Sequence, residues 1–166
     1  MLETICALKE EQDAMIRVMD LAHYVIGYAN EKAYEITHLK LQKILYFLQG
    51  EFLRRYDRPL FSSAIMAWTY GPVVVEVYFE YCSKGALPLY ESSENYSRYV
   101  AHLSVDERET INTCLDNLLP LSSRKLVSDT HKQYPWLKHH DEVESGKKPY
   151  ITLDEMREYF RNNRGL

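Results

Sequence analysis

Apolar residues recur at helical spacing along most of this chain. In residues 15–30 they fall at Val18, Leu21, Ala22, Val25, Ile26 and Ala29, one face of a helix, with Asn30 as its stop. A short connection, residues 31–36, leads into a second helix, so the two should pack antiparallel. The second helix starts at Thr37, whose hydroxyl can cap free backbone N–H groups. Leu41, Ile44, Leu45, Leu48 and Phe52 form its core stripe. One notch round lie Gln42, Tyr46, Gln49 and Leu53, and a further row holds Lys40, Lys43, Phe47 and Glu51. A helix with apolar residues on more than one side is packed by several neighbours, which makes this the expected central helix.

Beyond it the pattern changes. Arg54, Arg55 and Arg58 collect at the helix end, as a solvated terminus or as a surface for an acidic partner; helix ends commonly gather such charges. Ile65, Ala67 and Trp68 suit a short extended segment, and Tyr70-Gly71-Pro72 punctuates the chain. Pro72, needing no N–H, suits the first turn of a helix over residues 73–81. Residues 84–102 read as a loop, with a short strand at 87–90. Ser104 and Glu107 form a capping box that opens a helix through Ile111, Cys114, Leu115 and Leu118. Another helix covers residues 122–129, and residues 131–146 read as irregular, pinned by Pro135-Trp136. Thr152 and Glu155 form a second capping box, with Leu153, Met156 and Phe160 on the buried side of the last helix. The expected fold is mainly α: a single compact domain of about six helices with a minor short-strand element. Residues 1–14 read as an extension ahead of a domain over 15–166.

Hydrophobic content of 46% with 27% charged residues is that of an ordinary globular protein, and 166 residues suffice for one core. The net charge of −4 argues against nucleic acid as a partner, which calls for a basic footprint. Cys6, Cys82 and Cys114 are odd in number and far apart, which suits a reducing compartment; Cys82 and Cys114 are expected to pack as small hydrophobes. With no apolar run of about 18 residues and no signal-like start, no membrane partner is expected and the expected location is cytoplasmic.

Candidate chemistry is sparse. His38, His131, His139 and His140, with Asp129 or Asp141, match no recognised zinc spacing, and there is no glycine-rich phosphate loop. No catalytic residue, metal or cofactor is therefore expected. The alternative is a small hydrolase using His131 and Asp129, with or without a metal; against it, no partner nucleophile is visible. A neutral imidazole that accepts one hydrogen bond and donates another makes His131, with Pro135 and Trp136, a structural brace instead. Two readings stay open for Lys40, Lys43, Gln42, Tyr46 and Gln49. Either they are satisfied within the core and solvent, or they line a partner-binding groove with Trp68, Tyr70, Gly71, Pro72 and Tyr78.

The segment Leu39-Lys40-Leu41-Gln42-Lys43-Ile44-Leu45-Tyr46 with Gln49-Gly50, then Pro59-Leu60-Phe61, then Ala67-Trp68-Thr69-Tyr70-Gly71-Pro72-Val73-Val74 with Val77-Tyr78, resembles the Panacea domain. Leu126 to His131, Pro135-Trp136 and the last helix continue the resemblance, which spans residues 15–160. That family, first catalogued as a domain of unknown function in phage-associated proteins, supplies antitoxins paired with many unrelated toxins. The resemblance implies an antitoxin that neutralises a co-encoded toxin by direct contact. One family member acts as an adaptor to a cytosolic protease, which makes such a protease a second implied partner. Residues 84–102 and the amino-terminal extension are where contact surfaces are expected to vary.

Overall fold

In the computed structural model, which describes Met1, Thr4 and residues 15–163, the chain is built around the helix that the apolar stripe marks out. This helix, α2 (His38–Tyr56), follows α1 (Val18–Glu31) and has 14 of its 19 residues buried. Thr37 caps it by accepting from the Lys40 N–H, and Asp57, in the left-handed conformation at φ 53°, ends it. The arginines at this end are engaged within the chain: Arg54 with Glu51, Arg55 with Asp106 and Arg58 with Glu107.

Next come β1 (Ile65–Trp68), β2 (Gly71–Val74), α3 (Val75–Tyr81), α4 (Val105–Leu118), α5 (Ser123–His131), α6 (Tyr134–Leu137), α7 (His140–Glu144), β3 (Tyr150–Ile151) and α8 (Leu153–Asn162). The mainly helical, single-domain architecture is as expected, with eight α-helices among the described residues rather than about six. The additional helices are short: α6 and α7 fold the stretch read as irregular, and Pro135 sits in the first turn of α6 where its missing N–H costs nothing. Both capping boxes form, at Ser104 with Glu107 and at Thr152 with Glu155. Leu153 is exposed, and α8 buries Met156 and Phe160 instead. Cys82 is exposed, whereas Cys114 packs against the core and burial pushes its thiol up to about 12. Cys6 and nearly all of the extension assigned to residues 1–14 lie outside the described residues.

Residues 71–74 are the main departure. Pro72 lies in a strand and not in a first helical turn: β1 and β2 form an antiparallel hairpin with Ile65 opposite Val74 and Trp68 opposite Gly71. The β-branched run Val73-Val74-Val75 favours extended backbone, and β2 is an edge of the sheet β2-β1-β3, where proline is tolerated. The turn is Thr69-Tyr70, and Gly71 follows at φ +97°, a conformation that favours glycine. On the other side of β1, β3 pairs Ile151 with Ile65 and Tyr150 with Met66. The strand expected at 87–90 reduces to a single bridge between Thr37 and Pro88, beside a Leu89 N–H to Ile36 carbonyl bond of 2.8 Å.

The last helix closes the core over α2. A Cβ at Gly50 would lie 2.4 Å from the Phe160 ring, so only glycine lets this ring seat against α2. Phe160 is fully buried and meets the Tyr46 ring edge-on at 5.6 Å. Burying such a side chain contributes roughly 1.5–3 kcal/mol.

Candidate functional site

The hairpin leans on the amino-terminal half of α2, and a cleft of about 410 Å³ opens beside it. His38, Leu39 and Gln42 line it from α2, Trp68, Thr69, Tyr70 and Val73 from the hairpin, and Tyr78 from α3. Gly85 and the segment carrying Val143, Gly146, Lys147 and Lys148 complete the wall. Aromatic rings dominate the lining. Tyr78 stands between His38, at 5.2 Å, and Trp68, edge-on at 4.5 Å, and Phe79 follows it at 5.6 Å. Tyr70 at the turn is 67% exposed and Phe79 is 70% exposed. The Lys148 ammonium sits 4.0 Å from the centre of the Trp68 ring.

The polar residues beneath the hairpin hold its backbone in place. The Gln42 side-chain carbonyl accepts from the Val74 N–H at 2.7 Å, while its amide nitrogen lies 3.2 Å from His38 Nε2. Lys43 Nζ donates to the Pro72 carbonyl at 2.6 Å. Trp136 Nε1 donates to the Trp68 carbonyl at 2.9 Å. His131 stacks on Trp136 with ring centres 3.9 Å apart and interacts with the Thr69 backbone. Gly71 completes the fit, since a Cβ there would lie 2.7 Å from Thr130 Oγ1 and 3.1 Å from Lys43 Nζ. Side chains from α2, α5 and α6 thus fix a single turn from below.

Lys43 is fully buried, and burial alone pushes its amine down to about 7. The imidazoles of His38 and His131 are also held below the usual histidine value, first by burial and then by the Lys43 charge. His131 Nε2 is buried and has no partner among the described residues. Asp129 is drawn away from it into a 2.5 Å ion pair with Lys125, so the structure does not join the His131–Asp129 pair considered as a hydrolytic centre. No group of three or more His, Cys, Asp or Glu side chains among the described residues could hold a metal ion.

The residues considered as a partner surface therefore separate. Gln42, Trp68, Tyr70 and Tyr78 come together at the cleft. Lys43, Tyr46 and Gln49 are fully buried, and Gly71 and Pro72 form the buried strand behind the turn. Tyr46 donates to Gln133 at 2.9 Å, and Gln49 bonds Leu60 and Phe61. Lys40 is turned inward to the Leu119 carbonyl at 2.6 Å. Lys147 and Lys148 escaped the sequence reading; a Gly-Lys-Lys-Pro run is an ordinary polar loop until β3 brings it beside the hairpin. Gly85 and Val143 escaped that reading too, and Leu39 figures in it only within the family motif.

The family model for SocA-like antitoxins, the Panacea domain, matches residues 41–137. The chain belongs to this family. The Panacea match takes in the hairpin and every side chain that fixes it, and it ends before the lysine segment. Among curated proteins, the antitoxin SocA of Caulobacter vibrioides is 32% identical over 111 residues, covering 61% of this chain and 58% of that protein. A Schizosaccharomyces pombe protein provisionally named an aryl-alcohol dehydrogenase is 24% identical over 160 residues, covering 90% of this chain and 46% of that protein. The chain spans about half the length of these curated relatives. The six glycines here are widely separated, so this Panacea chain has no glycine-rich dinucleotide turn. No solved structure matches it. No helix among the described residues is long and apolar enough to cross a membrane.

Proposed function

We propose that this chain is an antitoxin that neutralises a co-encoded toxin in the cytoplasm by direct protein–protein contact, through the aromatic cleft beside the hairpin. The observation that carries this reading is the braced turn. Four separate side chains fix the backbone of one hairpin, and that hairpin presents Trp68 in the cleft and Tyr70 at an exposed tip. Rigid aromatic groups give large contact area with little ordering cost on binding, which is how a few residues come to dominate an interface. Membership of the antitoxin family supports the same reading.

The test is growth. The neighbouring gene is expressed alone and then with this chain, and relief of growth arrest is scored. A Trp68→Ala/Tyr70→Ala variant that keeps its helical circular dichroism should lose the relief. Full relief by that variant would move the contact surface elsewhere, and absence of any arrest or relief would remove the antitoxin reading. Delivery of the toxin to a cytosolic protease is read in the same cells: it predicts that co-expression shortens the toxin's half-life.

A further inference from the structure

We infer that the cleft takes an extended acidic segment of the partner protein, whose carboxylates meet Lys147 and Lys148 while an adjoining apolar side chain packs against the aromatic wall formed by Trp68, Tyr70 and Tyr78. This rests on the cleft being the contact surface and adds the chemistry of what enters it.

The chain is acidic, with 24 Asp and Glu against 20 Lys and Arg, yet no carboxylate lines the cleft among the described residues. Lys147 and Lys148 supply its formal charge, and neither forms an ion pair among those residues. Elsewhere Lys32, Lys125 and Lys138 each hold a carboxylate at 2.5–2.6 Å. Lys148 instead rests over the Trp68 ring. Two ammonium groups without a carboxylate partner, set beside apolar rings, make a surface complementary to carboxylates next to an apolar group. The volume accommodates a few side chains and no folded element.

Single-stranded nucleic acid also stacks on aromatic rings and pairs with lysine. A polyphosphate needs a continuous basic track, however. Here α7, just ahead of the lysines, exposes Asp141, Glu142 and Glu144. The arrangement suits a short acidic stretch of protein.

The probes are the acetylated, amidated peptide Phe-Glu-Leu-Asp-Phe and its neutral counterpart Phe-Gln-Leu-Asn-Phe, followed by the Trp68 indole resonance. The acidic peptide should bind roughly fivefold or more tightly than the neutral one, and the gap should close in a Lys147→Gln/Lys148→Gln variant and at high salt. Equal affinities, no binding, a gap that persists in the variant, or tighter binding of a ten-nucleotide oligothymidylate overturns the inference. Growth relief separates this inference from the reading beneath it. If Trp68→Ala/Tyr70→Ala loses relief while Lys147→Glu/Lys148→Glu keeps it in full, the acidic segment is wrong and the cleft stands. If neither substitution weakens relief, both fail; weakened relief in both supports both.

Discussion

Leu48 and Gln49 are neighbours in α2 and both are fully buried, yet they are held by different physics. Leu48 belongs to the row of Leu41, Ile44, Leu45 and Phe52, which is bound by area and packing without direction. Gln49 belongs to the row of Gln42 and Tyr46, with Lys43 beside it, and each polar atom there has a named partner at a fixed distance. The apolar row gives the domain its stability. The polar row gives particular backbone segments their place, the hairpin through Gln42 and Lys43 and residues 60–61 through Gln49, since an unmade buried hydrogen bond costs more than a made one contributes.

Substitutions can break or sharpen that contrast. The largest effect is expected for Gln49→Met, which keeps the volume but leaves the Phe61 carbonyl and the Leu60 and Phe61 N–H groups without their partner. Loss of about 4 kcal/mol in urea denaturation is expected; a loss under about 1 kcal/mol would mean water replaces the amide. Gly71→Ala comes next, at roughly 3 kcal/mol, because it forces a side chain into a positive φ against Thr130 and Lys43. It should also displace Tyr70 and weaken growth relief.

Third is the pH dependence carried by Lys43. Its folded amine titrates at about 7, below its unfolded value, so the unfolded chain binds more protons above neutrality and stability rises with pH there. Relative to Lys43→Met, the native chain should gain about 2 kcal/mol between about pH 7 and pH 9. A flat difference would show that the amine keeps its charge in the fold. On the acid side the signs agree: His38 and His131, held neutral, make stability fall as pH drops below the usual histidine value. The smallest effect is expected for Leu48→Met, under about 1.5 kcal/mol, since that row needs volume and not direction. A larger loss would place Leu48 with the direction-dependent row.

How much of this was legible in the sequence follows the range of the forces. The Thr37 cap and both capping boxes were readable because each closes within a few residues. The central helix was readable because its apolar rows repeat over five turns. The hairpin was misread because a four-residue strand beginning Gly-Pro carries the same local signs as a helix start. The split of the candidate site was not readable at all. Gln42 and Lys43 adjoin in sequence, but only tertiary packing decides that Gln42 borders the cleft while Lys43 is sealed beneath the hairpin. The lysine wall depends on β3 pairing across more than eighty residues with Ile65, a registration no short window contains.

The anchoring of the turn has a consequence in time. Because the Val74 amide, the Pro72 carbonyl and the Trp68 carbonyl are each tied to a helix of the core, the tip has no local hinge through which to open. The Val74 amide, bonded to the buried Gln42 side chain, should exchange with deuterium at the slow pace of α2, and a binding surface held on such an anchor meets its partner already in shape.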